Sequence, residues 1–131
     1  MFIDASALCA ILADETDGPS LRRRIELGER RVTSPTALWE TTVAVCRKLD
    51  VSPQDAAASV FAVVAKLDIP VASIPPEVAH LAIDAFARFG KGRHPAGLNF
   101  GDCFAYACAR YFGLPLLFKG GDFARTDIAA A

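Results

Sequence analysis

The sequence predicts an α/β fold: a three-layer α/β/α sandwich around a mostly parallel sheet of four or five strands. Three observations point there. Short apolar runs alternate with longer stretches of helical periodicity along the 131 residues, and strand–helix alternation argues for a parallel sheet covered on both faces. Helix starts recur as a capping residue followed by proline, as in Ser34-Pro35 and Ser52-Pro53. Hydrophobic residues make up 53% and charged ones 22%, a globular composition at a length that buries a core within one domain, residues 1–131.

The elements follow in order. "MFID" reads as a short strand ending at Asp4, and "ASALCAILAD" as a helix starting near Ser6. "DGPSLRRRIELGERR" carries Asp17 before Pro19, a helix start. "RVTS" is a second short strand. Ser34 and Pro35 open the long helix "PTALWETTVAVCRKLD". Ser52 caps "PQDAAASVFAVVAKL", with Pro53 at its first position and Asp55 in its first turn. "IPVASI" is a third strand; Pro75-Pro76 ends it and begins "PEVAHLAIDAFARFG", which Gly90 closes. After the polar loop "KGRHPAGL", Asn99 caps a helix from Phe100 to Phe112 that Gly113 terminates. That helix is apolar nearly all round, so it belongs in the interior, with Ala105, Ala107 and Ala109 allowing close approach. "LPLLF" is a fourth strand, "KGGDFARTD" a turn-rich loop, and "DIAAA" a last short strand.

Composition removes several functions. The net charge of −1 provides no global positive field for nucleic acid. Cys9, Cys46, Cys103 and Cys108 form no C-x-x-C pair, and only His80 and His94 could join them, which argues against zinc. Their apolar contexts suit free thiols in a reducing compartment. "ALCAILA" lacks a basic leader, and no apolar run is long enough to span a bilayer. The chain reads as cytoplasmic.

Most of the fifteen acids read as solvated loops, helix ends or helix surfaces; Asp14, Glu15 and Asp17 are taken as one such loop. Four resist that reading. Asp4 and Asp122 each follow a strand, where parallel sheets bind ligands. Asp102 lies in the first turn of the interior helix. Glu40 sits mid-helix with no basic residue three or four positions away. Asp4, Asp102 and Asp122 fall on one expected sheet edge, and Glu40 can lean over it. Carboxylates crowded in one pocket must take up protons or a cation. Without His or Cys the cation is hard, Mg²⁺ or Mn²⁺. Its natural chemistry is phosphodiester hydrolysis. Ser6 and Asn99 could orient carboxylates or metal-bound waters, or serve as helix caps alone.

Four stretches then match a known pattern: "MFIDASAL", "SPTALWE", "LNFGDCFAYACAR" and "LPLLFKGGDFARTDI". In that order they resemble the PIN-domain ribonucleases, specifically the VapC-type toxins of bacterial and archaeal toxin–antitoxin pairs. The resemblance makes Asp4 and Asp102 direct metal ligands and has Glu40 and Asp122 complete the pocket, directly or through water. Asp127 is auxiliary, and Ser6 matches the family's hydroxyl or amide two residues after the first acid. It further implies a PIN-like sandwich, a homodimer, an RNA substrate and a cognate VapB antitoxin. The last strand, at "DIAAA", is short for the pattern.

Phosphate contacts would come from Arg22, Arg23, Arg24, Arg30 and Arg31, or from Lys91, Arg93 and His94, if these are more than solvated faces. Trp39 reads as core or dimer interface rather than a stacking platform. Leu8, Ile11 and Leu12 either pack the core or line a groove for an antitoxin helix. Three rivals are weighed. A phosphatase of the haloacid dehalogenase type needs an aspartate two residues after the first, where Ser6 stands. A phosphoacceptor receiver domain would carry an acidic pair after its first strand and an acid after its third, and Asp4 stands alone while "IPVASIP" ends without one. A catalytically silent PIN-like binding module would not need all four acids.

Overall fold

The computed structural model describes residues 1–131. At the centre of the sheet β1 (Phe2–Ile3) pairs in parallel with β2 (Leu116–Leu117), in the register Phe2↔Leu116 and Ile3↔Leu117. On its other side β1 bridges Val32, with Ile3 N donating to Val32 O at 2.8 Å and Val32 N to Met1 O at 3.0 Å. Parallel bridges join Thr33 to Val71 and Leu116 to Ala130. The order across the sheet is therefore Val71, Thr33, Phe2, Leu116, Ala130. In chain order the third, second and first segments precede the fourth and fifth, so the winding reverses between β1 and β2.

All five expected segments take part, all in parallel, but only two form regular strands, each of two residues. The runs read as longer strands are cut short because the chain leaves the sheet at once. Asp4 caps the next helix directly after Ile3, and Ser34 does so directly after Thr33.

Six helices cover the sheet: α1 (Ala5–Leu12), α2 (Gly18–Leu27), α3 (Pro35–Leu49), α4 (Pro53–Lys66), α5 (Val78–Phe89) and α6 (Phe100–Phe112). Two starts differ from expectation. α1 begins at Ala5, because Asp4 rather than a later residue caps it. α5 begins at Val78, because the carbonyls of Pro75 and Pro76 accept from Val78 N and Ala79 N in a turn. The loop after β2 holds a short 3-10 turn at Phe123–Arg125.

Period-2 alternation splits the core into two layers. Phe2 and Leu116 face a cluster with Val78, Leu98 and the buried alanines of α6. Ile3 and Leu117 face the other, with Leu8, Ile25, Val60 and Val64. α6 packs chiefly on α5, its Ala105, Ala107 and Ala109 all buried. Leu8 is fully buried, which settles it as core. Arg31 is a structural tie, donating to the carbonyls of Ile25, Gly28 and Asp68. Trp39 is 69% exposed, so it is not core. The four cysteines are free thiols. No helix is long and apolar enough to cross a membrane.

Candidate active site

The reversal of winding between β1 and β2 opens a crevice beyond the carboxyl ends of the strands, where ligands bind in open α/β sheets. Asp4 occupies that edge. Its backbone N donates to Leu117 O at 2.9 Å, which fixes it at the junction. Its side chain is buried, and Oδ2 accepts from Ser6 N at 2.9 Å and Ser6 Oγ at 2.5 Å. Ser6 Oγ in turn accepts from Lys119 N at 2.9 Å, tying the start of α1 to the segment after β2. Asp4 Oδ1 is left free.

Asp102 reaches the same crevice from the first turn of α6. It forms a capping box: Asn99 Oδ1 accepts from Asp102 N at 3.0 Å, and Asp102 Oδ2 accepts from Asn99 N at 2.8 Å. Helix capping and pocket lining are thus both true of this residue, one oxygen for each. Glu40, from α3, has no hydrogen-bond donor on its carboxylate. It lies against the backbone of Gly101, where any Cβ would overlap the carboxylate. Gly101 is therefore the residue that makes room for it.

Asp4, Ser6, Glu40, Asn99 and Asp102 line one cavity of about 340 Å³. Its electrostatics are hostile to charge. Burial pushes the Asp4 carboxyl up, against the opposing pull of the Ser6 hydrogen bonds. Burial, then the charges of Asp4 and Asp102, push Glu40 up to about 7. Burial, with the charges of Asp4 and Asp122, pushes Asp102 up to about 6 despite the Asn99 bond. These are the conditions that a cation relieves.

The donor set suits a hard cation: all oxygens, with no His or Cys from the metal-binding types except Cys9 on the wall. The side chains as placed do not close a complete cage, since no three His, Cys, Asp or Glu groups converge tightly enough to hold an ion alone. Mg²⁺ keeps several waters and takes few carboxylates, so an open set of this kind fits it.

Two expected residues lie elsewhere. Asp122 is exposed, leads the turn Phe123–Arg125 and is absent from the cavity wall, touching the cluster only through its charge on Asp102. Asp127 does not approach the pocket. Tyr106 OH donates to its Oδ1 at 2.6 Å and Arg88 to its Oδ2 at 2.6 Å, so its role is to clamp the tail onto α5 and α6. Two residues were missed. Glu15, read as solvated loop, stands on the cavity wall and pairs with Lys48 and Lys119. Lys119 stands there too, and no local sequence signal marks either.

The PIN domain family model matches residues 1–129. Ribonuclease VapC30 of Mycobacterium tuberculosis is 40% identical over 98% of this chain and 96% of its own length. Ribonuclease VapC of Mycolicibacterium smegmatis is 41% identical over 99% and 98%. Among solved structures, the Mycobacterium tuberculosis toxin VapC20, described as cleaving the sarcin-ricin loop, superposes with a TM-score of 0.77 at 20% identity, covering 99% of this chain and 97% of that one. The last likeness shows the fold; the family model and the sequence relatives show that the chain belongs to the PIN-domain family, among the VapC ribonucleases.

Proposed function

We propose that the protein is a metal-dependent endoribonuclease, the toxin of a toxin–antitoxin pair, using Mg²⁺ or Mn²⁺. One observation carries the reading: three acids from β1's end, α3 and α6 share a cavity, burial raises all three, and the charges of neighbouring acids raise Glu40 and Asp102 further.

In this reading Asp4 and Asp102 hold the ion through their free oxygens, and Glu40 does so directly or through water. Asp122 adds negative charge from outside the wall. Ser6 and Asn99 fix the other oxygens of Asp4 and Asp102, so the free ones point in a set direction. When bound, the ion supplies Lewis acidity toward the phosphodiester and a water of lowered pKa. Hydrolysis of this kind would leave a 5′-phosphate on one product. Glu40, with no protein donor on its carboxylate, would bind the ion or one of its waters. The substrate is RNA, as the names of the relatives say of those proteins. A cognate VapB-type antitoxin restrains the enzyme, and the site of action is the cytoplasm, where four free thiols stay reduced. A homodimer is part of the same proposal.

The test uses purified protein, structured RNAs, and Mg²⁺ or Mn²⁺ against EDTA. Cleavage is expected with metal only, and Asp4→Asn or Asp102→Asn should lower it by roughly 10²–10³-fold, several kcal/mol of transition-state stabilisation. Cleavage that survives EDTA and both substitutions ends the proposal.

A further inference from the structure

A second cavity adjoins the acid pocket. It measures about 550 Å³, shares Glu40 and Asn99 with that pocket, and has Trp39 of α3 and Phe100 of α6 on its wall. We infer that this cavity receives one unstacked nucleobase of the RNA strand, held against the rings of Trp39 and Phe100. The inference rests on the ribonuclease reading above and adds the subsite that grips the substrate.

Exposure is the first ground. Trp39 is 69% and Phe100 71% exposed, the two most exposed aromatic side chains in the molecule. Large rings left in water forgo burial, and here two come from different helices to one hollow. Phe100 is also braced from behind by Phe104, with ring centroids 4.8 Å apart.

Connectivity is the second. One sugar joins a nucleotide's phosphate to its base. With the phosphate at Asp4 and Asp102, the shared wall of Glu40 and Asn99 puts the base next door. Only Oδ1 of Asn99 is used by the helix cap, so its amide donors are free for a base edge. Charge is the third ground. A chain of net charge −1 with a carboxylate pocket attracts polyphosphate poorly. Stacking is independent of charge and tolerant of sequence, and it supplies what ionic contacts here do not.

Trp39 is the single tryptophan of the chain; it borders this cavity and a second hollow beside Phe61, and Phe100, which lines only the first of the two, tells them apart. The full-length protein in EDTA is titrated with a single-stranded RNA oligonucleotide and, separately, with an abasic oligonucleotide of the same length. Saturable quenching by the base-bearing strand only is expected. Phe100→Ala should weaken that binding by about five- to a hundredfold, and with metal the same variant should raise KM more than it lowers kcat. Equal responses to both strands overturn the inference, as does a Trp39 signal that follows protein concentration and ignores RNA, because a second copy then fills the cavity. If a fluorescently labelled strand binds by anisotropy and is cleaved while Trp39 stays silent, the subsite falls and the ribonuclease reading stands. If the protein neither binds nor cleaves RNA, both fall.

Discussion

Asp102 and Asp127 both lean on α6, one turn apart, under opposite electrostatics. Asp102 serves the helix start with one oxygen and turns the other into a pocket where burial and neighbouring acids push it up to about 6. Asp127 reaches Tyr106, one turn further along, and both its oxygens are engaged; hydrogen bonds from Tyr106 and Arg88 hold it below the usual carboxylate range. The contrast separates two uses of the same side chain. An acid whose partners are all protein groups holds the fold together. An acid held close to others with an oxygen to spare weakens the fold, and its return comes only when a cation arrives.

The largest effect that would sharpen this contrast lies at Gly101. Its backbone is outside the positive-φ set, so alanine fits the helix, but the new methyl displaces the Glu40 carboxylate. Gly101→Ala should weaken Mn²⁺ binding by about tenfold, in the range seen when a ligand's support is lost, without lowering Tm, since alanine favours a helix. Calorimetric titration and a melting curve read the two sides; a Tm drop with unchanged Mn²⁺ affinity would place Gly101 in the fold rather than the site.

Next is Asp127. Asp127→Asn should cost about 1 kcal/mol of stability, the lower range for a half-exposed ion pair with a hydrogen bond attached, and leave kcat unaltered. Denaturant melts and cleavage rates check it. A collapse of kcat in a stable Asp127→Asn protein would return this residue to the active site and break the contrast.

The smallest effect has the opposite sign. Glu40 has its carboxyl raised from 4.5 to about 7. An acid raised on folding favours the folded state fully below its ordinary value, and that benefit is lost as pH rises through the folded value. Metal-free Glu40→Gln should therefore be more stable than the parent at pH 8, by about 0.5 kcal/mol after solvent screening. The gap should close on acidification to about pH 4.5. Thermal melts in EDTA at both pH values measure it. A Glu40→Gln protein less stable than the parent at pH 8 would mean that the carboxylate is a structural group after all.

What was legible in the sequence divides along the same line. Asp4, Glu40 and Asp102 stood out because each sits in an apolar run with no basic side chain within four positions, and the structure brings those three to one cavity. Asp127 was misplaced because its partners, Arg88 and Tyr106, lie 39 and 21 residues away, and pairing at that range leaves no local trace. Glu15 looked solvated for the same reason: Lys48 and Lys119 arrive from 33 and 104 residues off. Gly101 was invisible because its role is an empty volume. The five sheet segments and their parallel sense followed from strand–helix alternation. Their brevity did not, since apolar runs mark burial and say nothing of ladder length.

The bond from Lys119 N to Ser6 Oγ spans 113 residues, and Asp4 N meets Leu117 O across the same separation. A ribosome delivers residues 4–6 well before residues 116–119, and domains fold as units. Until residues 116–119 emerge, Ser6 holds the Asp4 carboxylate, but the Asp4 backbone lacks its tie to Leu117. The crevice edge is thus finished only after the 113 residues that separate Ser6 from Lys119 have been made.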